Sequence, residues 1–315
     1  MNKNLPLFLI ICLFLLAGNA IRAQGDGPRS YLPVPIGVWG VVPKYLHLNQ
    51  NIVPAGNILI QDADITVDVF PTTFFHTFGI KGRPAVVQFM INPGSATAKF
   101  NVLNAPFDHI DANGFSDGFV AFKMSLVGIR ALNVIEFPQH PMVFNLSGNL
   151  RVWYSGSYDR EKIFNLGTNR FAVELGTPMV IPLNDNPKRA TWLETYPCIQ
   201  FFTDNNDPVR PAGKTEQKPL FILENHLTHN FTPKFWGGID LRFQYGGRTK
   251  VDGVEDDNRI NILGGGISAG CQFLPFLGAN TTYGGIMFGD NNARSEMFRF
   301  ALIFTYADVR KLQQK

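Results

Sequence analysis

The sequence predicts an all-β protein, a transmembrane antiparallel β-barrel of about 12 strands of the outer-membrane type. The chain opens with a segment that has the character of a secretory signal peptide. Only 17% of the residues are charged and 28 of the 315 are Phe, which is apolar for a soluble surface. Segments of about ten residues alternate between apolar and polar side chains and are separated by turn residues, as membrane-spanning strands do.

Residues 1–23 are predicted to be a cleaved signal peptide. A lysine precedes an apolar run over 5–17, and Ala20 and Ala23 supply the small residues of a cleavage site. The run is shorter than the roughly 20 residues that a spanning helix needs, which argues against a membrane anchor. A lipoprotein is disfavoured because Gln24, and not a cysteine, stands directly after the cleavage site. Residues 24–315 are then predicted to form a single barrel domain.

Dyad alternation is clearest over 235–247, FWGGIDLRFQYGG. There Leu241 and Phe243 alternate with Arg242 and Gln244. Because successive strand side chains point to opposite faces, one face of this strand is apolar and the other is polar. The same alternation occurs over 144–154, 263–273 and 298–306.

Taken together, the alternating segments predict twelve strands, an even number as in bacterial single-chain barrels. They lie near 36–48, 63–78, 84–92, 118–131, 142–154, 168–181, 190–203, 219–230, 234–247, 259–273, 277–288 and 295–306. Short connectors near 80–83, 183–189, 230–234 and 274–276 differ from longer polar ones near 93–117, 155–167, 204–218 and 248–258. Short periplasmic turns and long external loops place both termini on the periplasmic side, although the connector near 132–141 is longer than this rule expects.

A soluble sandwich or lipocalin-like barrel is the alternative fold, with its apolar parity turned inward. Alternation alone permits it. Twelve strands exceed the eight of a lipocalin, and aromatic residues recur near the strand ends as in interfacial girdles. Both observations favour the membrane barrel.

The polar parity is predicted to face the lumen, since Arg or Lys on the lipid face at midplane costs about 2 to 4 kcal/mol. These side chains either pair with one another to fill a narrow barrel or line a polar pathway for a solute, and the alternation is compatible with both. The candidate pore-lining residues are Asp64, Asp68, Lys123, Arg151, Arg170, Glu174, Glu194, Asp240, Arg242, Gln244 and Arg299.

Four segments occur in an order that resembles a known family. They are GPRSYLPVPIGV at 27–38, with Arg29, Tyr31, Pro33, Pro35 and Gly37; YDREKIFNLGTNRFAVELG at 158–176; FFTDNND at 201–207; and YGGRTKVDG at 245–253. They are similar to the outer-membrane transporters named for the meta-pathway of phenol degradation. Phe171 stands where that family has Trp, and the tail after Tyr306 departs from its usual aromatic end.

The resemblance implies a passive outer-membrane channel for small molecules, aromatic or hydrophobic in class. The expected location is the bacterial outer membrane, and the expected partners are its lipids and an unidentified small solute, with no nucleic acid. A structural barrel with a plugged lumen and a lipid-modifying outer-membrane enzyme are the alternatives. The substrate and the oligomeric state do not follow from the sequence.

The predicted external loop around 158–169 carries part of the resemblance. Its motif residues act as a gate or solute contact, or they build a rigid loop in which side chains satisfy turn backbone and a glycine supplies a special dihedral. They are Tyr158, Asp159, Asn165, Gly167 and Asn169.

No catalytic or metal-binding pattern stands out. The six histidines lie outside the sequence patterns of Ser-His hydrolases. His226 shares the lumen parity with Glu224 and Thr228, which predicts a hydrogen-bonded cluster. The acidic stretches at 204–207 and 255–257 lack the ligand spacing of a calcium loop. We predict no enzyme activity, no metal and no cofactor, and we interpret Cys198 and Cys271 as packing residues.

Overall fold

The computed structural model describes residues 26–53, 58–60, 63–100 and 109–307. Within these residues twelve antiparallel strands, β1 to β12, follow one another around a closed barrel. The first strand pairs with the last from Val38 opposite Ala307 to Gln50 opposite Ser295. This pairing closes the sheet on itself, which is how a sheet satisfies its backbone polar groups in lipid; among the described strands, Ile110–Phe115 has a neighbour on one side only. The predicted fold class is confirmed.

Four of the twelve strands are interrupted for one or two residues. In the fourth strand the part before the interruption pairs only with the third strand, whereas the part after it pairs with the third and the fifth. The strands are β1 Val38–Gln50, β2 Ala63–Val69 with Thr72–Ile80, β3 Arg83–Ile91 with Pro93–Phe100, β4 Ile110–Phe115 with Gly118–Val127, β5 Asn145–Tyr154, β6 Ala172–Gly176 with Met179–Pro182, β7 Thr191–Phe202, β8 Leu220–Asn230, β9 Phe235–Gly246, β10 Ile260–Leu274, β11 Leu277–Gly289 and β12 Ser295–Ala307.

The two ends of the barrel differ in the length of their connections. At the end that carries both chain termini the strands are joined by turns, of which the longest, between β4 and β5, contains the short 3-10 helix Phe137–Gln139. The opposite end carries the longer loops 155–171, 203–219 and 247–259. Two of these loops build a small sheet from Thr215–Gln217, Thr249–Val251 and Val254–Glu255. In the described part of the chain, no helix has the length and apolar character to cross a membrane.

The outer face of the barrel is apolar over a continuous belt. On β9, Ile239 and Leu241 are 54% and 42% exposed, while Asp240 on the opposite face is buried. Aromatic side chains such as Phe235 and Tyr245 stand near the ends of this strand, at the levels where membrane barrels place their girdles. The predicted parity, apolar outward and polar inward, therefore holds over this belt.

The alternation is reversed where β1 to β4 continue past the belt, in a region we call the external extension (residues 47–50, 63–69, 93–100 and 110–115). Its inner face is apolar and buried, with Ile65 and Val67 almost fully inaccessible. Its outer face is polar, and Thr97 donates a hydrogen bond to Asp111 across the strands over 2.6 Å. This arrangement is that of a soluble barrel and suits a region whose outer face meets water.

The extension overturns three predictions. The stretch 93–117 is not a long loop: its ends are strand, and its small residues Ala96, Ala98 and Ala112 lack the bulky lipid-facing pattern by which strands were identified. The lumen positions predicted for Asp64 and Asp68 are wrong. Both lie on the outer face of the extension, where their side chains are 55% and 38% exposed and pair with Arg294 and His47.

Smaller differences concern strand ends and cysteines. The fourth strand ends at Val127 and not at 131, and 168–171 belongs to a loop. Cys198 and Cys271 are both free thiols, in agreement with their interpretation as packing residues. The predicted signal peptide, residues 1–23, lies outside the described residues.

Candidate functional site

The segment 26–35, just before the first strand, lies inside the barrel. It enters from the terminal end, where Ile36 donates a backbone hydrogen bond to Leu132 and Gly37 to Thr77, each over 2.8 Å. We call residues 26–35 the inner segment. It contains most of the first family motif, and its position inside the lumen is not apparent from the sequence.

Buried carboxylates on the barrel wall hold the backbone of the inner segment. Glu194 on β7 accepts hydrogen bonds from the backbone N–H groups of Arg29 and Tyr31, over 2.7 and 2.9 Å. Glu224 on β8 accepts one from the backbone of Asp26 and one from the Tyr31 hydroxyl, over 3.2 and 2.8 Å. Hydrogen bonds to ionised acceptors are stronger than neutral ones, so these contacts fix the segment in one position.

Arginines from two other strands bind the start of the inner segment. Arg151 on β5 pairs with the Asp26 carboxylate over 2.7 Å, and Arg299 on β12 donates to the Asp26 backbone carbonyl over 2.7 Å. Between them Gly27 adopts a positive φ of 88°, and a Cβ at this position would overlap the Arg299 guanidinium. Only glycine fits this close approach without strain.

A polar network continues along the wall beside the inner segment. Glu174 on β6 pairs with Arg151 over 3.2 Å and accepts hydrogen bonds from Tyr196 and Gln200 over 2.6 and 2.7 Å. The Tyr196 ring lies 4.7 Å from the ring of Tyr31. The network therefore links the wall to the inner segment.

The cluster predicted for His226, Glu224 and Thr228 is found in part in the same lumen, since Oγ1 of Thr228 has no hydrogen-bond partner among the described residues. His226 Nδ1 lies 2.6 Å from Asp240, and its Nε2 lies 3.6 Å from Glu224. Asp240 also accepts a hydrogen bond from Ser268. The histidine is thus enclosed by two carboxylates, and Ser268 contacts the aspartate rather than the imidazole.

The inner segment divides the lumen into two cavities. Toward the external loops lies a cavity of about 200 Å³, which we call the external cavity. Toward the terminal end lies one of about 420 Å³. Asp26, Lys44 and Arg299 line both, so they mark the division between them.

The external cavity has two chemically different walls. Its apolar wall, contributed by β1 to β4, is lined by Leu46, Leu48, Val69, Met90 and Phe119. Its charged wall, contributed by β5 to β9 and the loop before β6, is lined by Arg151, Arg170, Glu174, Glu224 and Arg242. Such a cavity can accommodate a molecule that has an apolar body and a polar head.

The long loops cover the external end of the lumen. Phe164 and Leu166 from the β5–β6 loop are buried against the inner face of the external extension, next to Leu48 and Met297. The same loop is tied to the β7–β8 loop, since Asn169 donates hydrogen bonds to the side chain of Asn205 and the backbone of Asp207. The second and third family motifs therefore contact each other above the external cavity.

The predicted loop motif builds a rigid loop. Asp159 accepts from the backbone of Glu161, and Asn165 both accepts from the backbone of Asp159 and donates to its carbonyl. The expectation of a special dihedral at Gly167 is wrong: this glycine has no positive φ, and it is required because a Cβ would meet the backbone of Gly156. Among these motif residues, Asn169 has the positive φ, and Tyr158 accepts a long hydrogen bond from Asn205.

Most of the predicted lumen residues are brought together inside the barrel, apart from Asp64 and Asp68. Interior positions are found for Lys123, Arg151, Arg170, Glu174, Glu194, Asp240, Arg242, Gln244 and Arg299. Whether a solute passes along them stays a prediction.

Several lumen residues were missed at the level of sequence. Lys44 and Trp153 share the inward parity of their strands, so alternation was a sufficient signal for both. Asp26, Arg29 and Tyr31 precede the first strand, where alternation carries no information.

No hydrogen bond joins a serine to a histidine among the described residues, and no group of three or more metal-ligating side chains occurs there.

Outside the barrel, exposed ion pairs are found on the small sheet. There hydrogen bonds from Lys218 and Arg248 lower the pKa of the Glu255 carboxyl.

A closed twelve-strand barrel with an apolar belt defines an outer-membrane β-barrel protein, and solved structures of that class are similar to this chain. One is an outer membrane channel, COG4313, from Pseudomonas putida F1, with a TM-score of 0.72 and 19% identity over 90% of this chain and 100% of that one. Another is the translocator domain of the autotransporter NalP from Neisseria meningitidis, with a TM-score of 0.50 and 11% identity over 87% and 90%. At these identities the likeness concerns the fold, and it agrees with a location in the bacterial outer membrane.

The chain belongs to the family described as "Putative MetA-pathway of phenol degradation", whose model matches residues 50–292. This confirms the resemblance found in the sequence. No curated protein matches the chain.

Proposed function

We propose that the protein is a passive outer-membrane channel for small aromatic or hydrophobic molecules, whose lumen is closed at rest by the inner segment. The observation that carries this proposal is the division of one continuous lumen into two cavities by a single short segment. Displacing that segment joins the cavities without breaking any strand pairing. Diffusion through a pore requires no catalytic group, so we also propose that the protein is not an enzyme.

The solute class rests on two features of the chain. The description of its family refers to the degradation of phenol. Its external cavity has an apolar wall that includes Leu46, Leu48 and Phe119, whereas a general diffusion pore for sugars or ions has a polar interior. An apolar wall favours molecules that can bury an apolar body.

The second candidate is a structural barrel with a permanently plugged lumen. It is favoured by the ion pairs of Arg151 with Asp26 and Glu174, which join wall to inner segment. The two candidates differ in whether the inner segment can leave its position while the barrel stays folded.

Uptake by intact cells tests the proposal. Cells that lack general porins are to express the full chain or the chain without residues 26–35, and the uptake of radiolabelled phenol is followed with and without permeabilisation of the outer membrane. We expect faster phenol uptake with the full chain than with an empty vector, and faster uptake still without the inner segment. Permeabilisation should remove both differences.

The folded state of each protein is checked by the mobility shift between boiled and unboiled gel samples. If neither folded protein increases phenol uptake over the empty vector, the channel is rejected in favour of the structural barrel. If only the shortened chain does, the inner segment is a permanent plug and the resting full-length protein is structural.

A further inference from the structure

Several hydrogen-bond donors of residues that line the external cavity have no partner among the described residues. They include Nη1 of Arg170, the indole Nε1 of Trp153 and Nε of Arg151, all inaccessible to solvent. A buried donor left without an acceptor costs free energy, so its persistence in a cavity wall calls for an explanation. A bound molecule that offers acceptor atoms would satisfy the donors of Arg170 and Trp153.

Arg170 is the more informative of the two. Its side chain is more than nine-tenths buried, and no ion pair joins it to a carboxylate in the described ranges. It donates through Nη2 to Gln217, and its guanidinium lies 4.8 Å from the centre of the Phe202 ring. Burial lowers the pKa of Arg170 to about 10, with only partial compensation from acidic neighbours such as Asp117. In the same lumen Arg151 is paired with Asp26 and Glu174, and Arg242 with Glu224.

Lys44 adds a second cation at the other end of the same cavity. It lies at the division between the two cavities, and among the described residues it forms no ion pair. Between the two cations the cavity is bounded by Leu46, Leu48 and the other residues of the apolar wall. The cavity therefore places two cations that form no ion pair among the described residues beside apolar surface, with the carboxylates of Asp26 and Asp117 also in its wall.

The size of the cavity limits the ligand. About 200 Å³ corresponds to roughly seven water molecules at about 30 Å³ each. One aromatic ring with a carboxylate fits this space, whereas a long-chain lipid exceeds it. Asn92, another residue of the cavity wall, has an acceptor, Oδ1, without a hydrogen-bond partner among the described residues.

We propose that the external cavity is a binding site for aromatic monocarboxylates, with the carboxylate on Arg170, the Trp153 N–H as a further donor and the ring against the apolar wall. This inference rests on the proposed function, since it names the class of solute that the channel selects. An aromatic acid has a negative charge that can pair with the charged wall and an apolar ring that can pack against the apolar wall.

Equilibrium dialysis of the folded, detergent-solubilised protein tests the site without requiring transport. The probes are radiolabelled benzoate and its neutral isostere benzamide. We expect benzoate to bind and benzamide to bind at least roughly tenfold more weakly, because a charge-assisted hydrogen bond is lost. Arg170→Gln should remove the preference. Arg160→Gln, in the same loop but paired with Asp207 at the surface, should leave it unchanged.

Trp153→Phe provides a second variant that keeps an aromatic side chain and removes the indole N–H together with part of the ring system. It should weaken benzoate binding and leave the gel mobility shift intact, so that the test survives if Arg170→Gln does not fold. Equal binding of the two probes, or benzoate binding that is unaffected in folded Arg170→Gln and Trp153→Phe proteins, overturns the inference.

Phenol uptake separates this result from the proposed function. Uptake without benzoate preference rejects the carboxylate site and keeps the channel. Benzoate preference that depends on Arg170, without any uptake, keeps the site and rejects the channel.

Discussion

The barrel belt and the external extension are parts of the same strands with opposite radial order. Over the belt, Ile239 faces outward and Asp240 is buried inside. In the extension, Val67 is buried inside and Asp68 lies outside, bonded to Tyr45 over 2.6 Å. The change occurs within single strands, and in β4 a one-residue shift of register at 116–117 accompanies it.

The difference teaches that alternation defines two faces but does not say which face is inside. That choice depends on the medium outside the strand. Lipid demands an apolar outer face, whereas water permits an apolar interior and a polar exterior. Substitutions on the corresponding faces of the two regions measure how much the surrounding lipid or water changes the folding free energy.

The largest effect is expected from Val67→Asp in the interior of the extension. Val67 is fully buried among apolar residues, and an unpaired carboxylate there costs several kcal/mol after relaxation. We expect the folded fraction of this variant to be much smaller than that of the unsubstituted protein. Urea titrations, in which the gel mobility shift reports the folded fraction, measure the difference. Thr66→Asp, on the outer face of the same strand, is the control, and equal destabilisation by both would show that the extension has no dry interior.

Phe164→Ala examines the loop that covers this interior. Truncating a buried phenylalanine lowers the free energy of unfolding by about 3 to 5 kcal/mol, because apolar burial is lost and a cavity is left behind. The midpoint of urea unfolding should fall accordingly. The neighbouring Ile163 is 62% exposed, so Ile163→Ala should leave the midpoint near that of the unsubstituted protein. Similar midpoints for the two variants would mean that Phe164 does not stabilise the closed loop.

Ile239→Arg and Thr66→Arg place the same charge on the outer faces of the two regions. At the lipid face we expect a loss of about 2 to 4 kcal/mol in folding free energy. On the water-exposed face of the extension the change should stay within about 0.5 kcal/mol. Refolding into lipid vesicles at increasing urea gives both values, and a large loss for Thr66→Arg would place the extension inside the membrane.

Glu194→Gln tests the polar contacts that hold the inner segment. A hydrogen bond to a charged group contributes about 1.5 to 3 kcal/mol, so weakening this pair should raise the population with a displaced segment roughly tenfold or more. Single-channel recording should detect more frequent openings. Asp64→Asn, which removes a charge on the outer face, is the control, and unchanged opening in Glu194→Gln would mean that this carboxylate does not retain the segment.

The smallest effect is expected at Glu255 on the small external sheet. Hydrogen bonds from Lys218 and Arg248 lower the pKa of this carboxyl, so its carbon resonance should titrate below the ordinary 4.5. Any stability from the pair is then present above that pH and lost as the pH falls through the lowered pKa. Because the group is solvated, Glu255→Gln should leave the urea midpoint at neutral pH unchanged. A measurable loss would indicate that the external loops pack as a cooperative unit.

Much of the barrel could be predicted from local sequence. The twelve strands were located because each crosses lipid and repeats a period of two, as 235–247 does with Leu241 and Arg242. The prediction failed over 93–117, where Ala96 and Ala112 are too small to stand out from their neighbours. The lumen positions of Arg151, Glu174 and Asp240 followed from parity, whereas their pairing partners did not.

The sequence by itself determined the strands, their number and the apolar belt, because lipid imposes the same requirement on every segment that crosses it. Only the tertiary structure decided the position of the inner segment, the reversed order of the extension and the unpaired donors of the external cavity. These depend on contacts between distant residues, such as Tyr31 with Glu194 and Arg170 with Gln217. Such contacts join residues that are far apart in the chain and meet across the barrel, so no local sequence pattern predicts them.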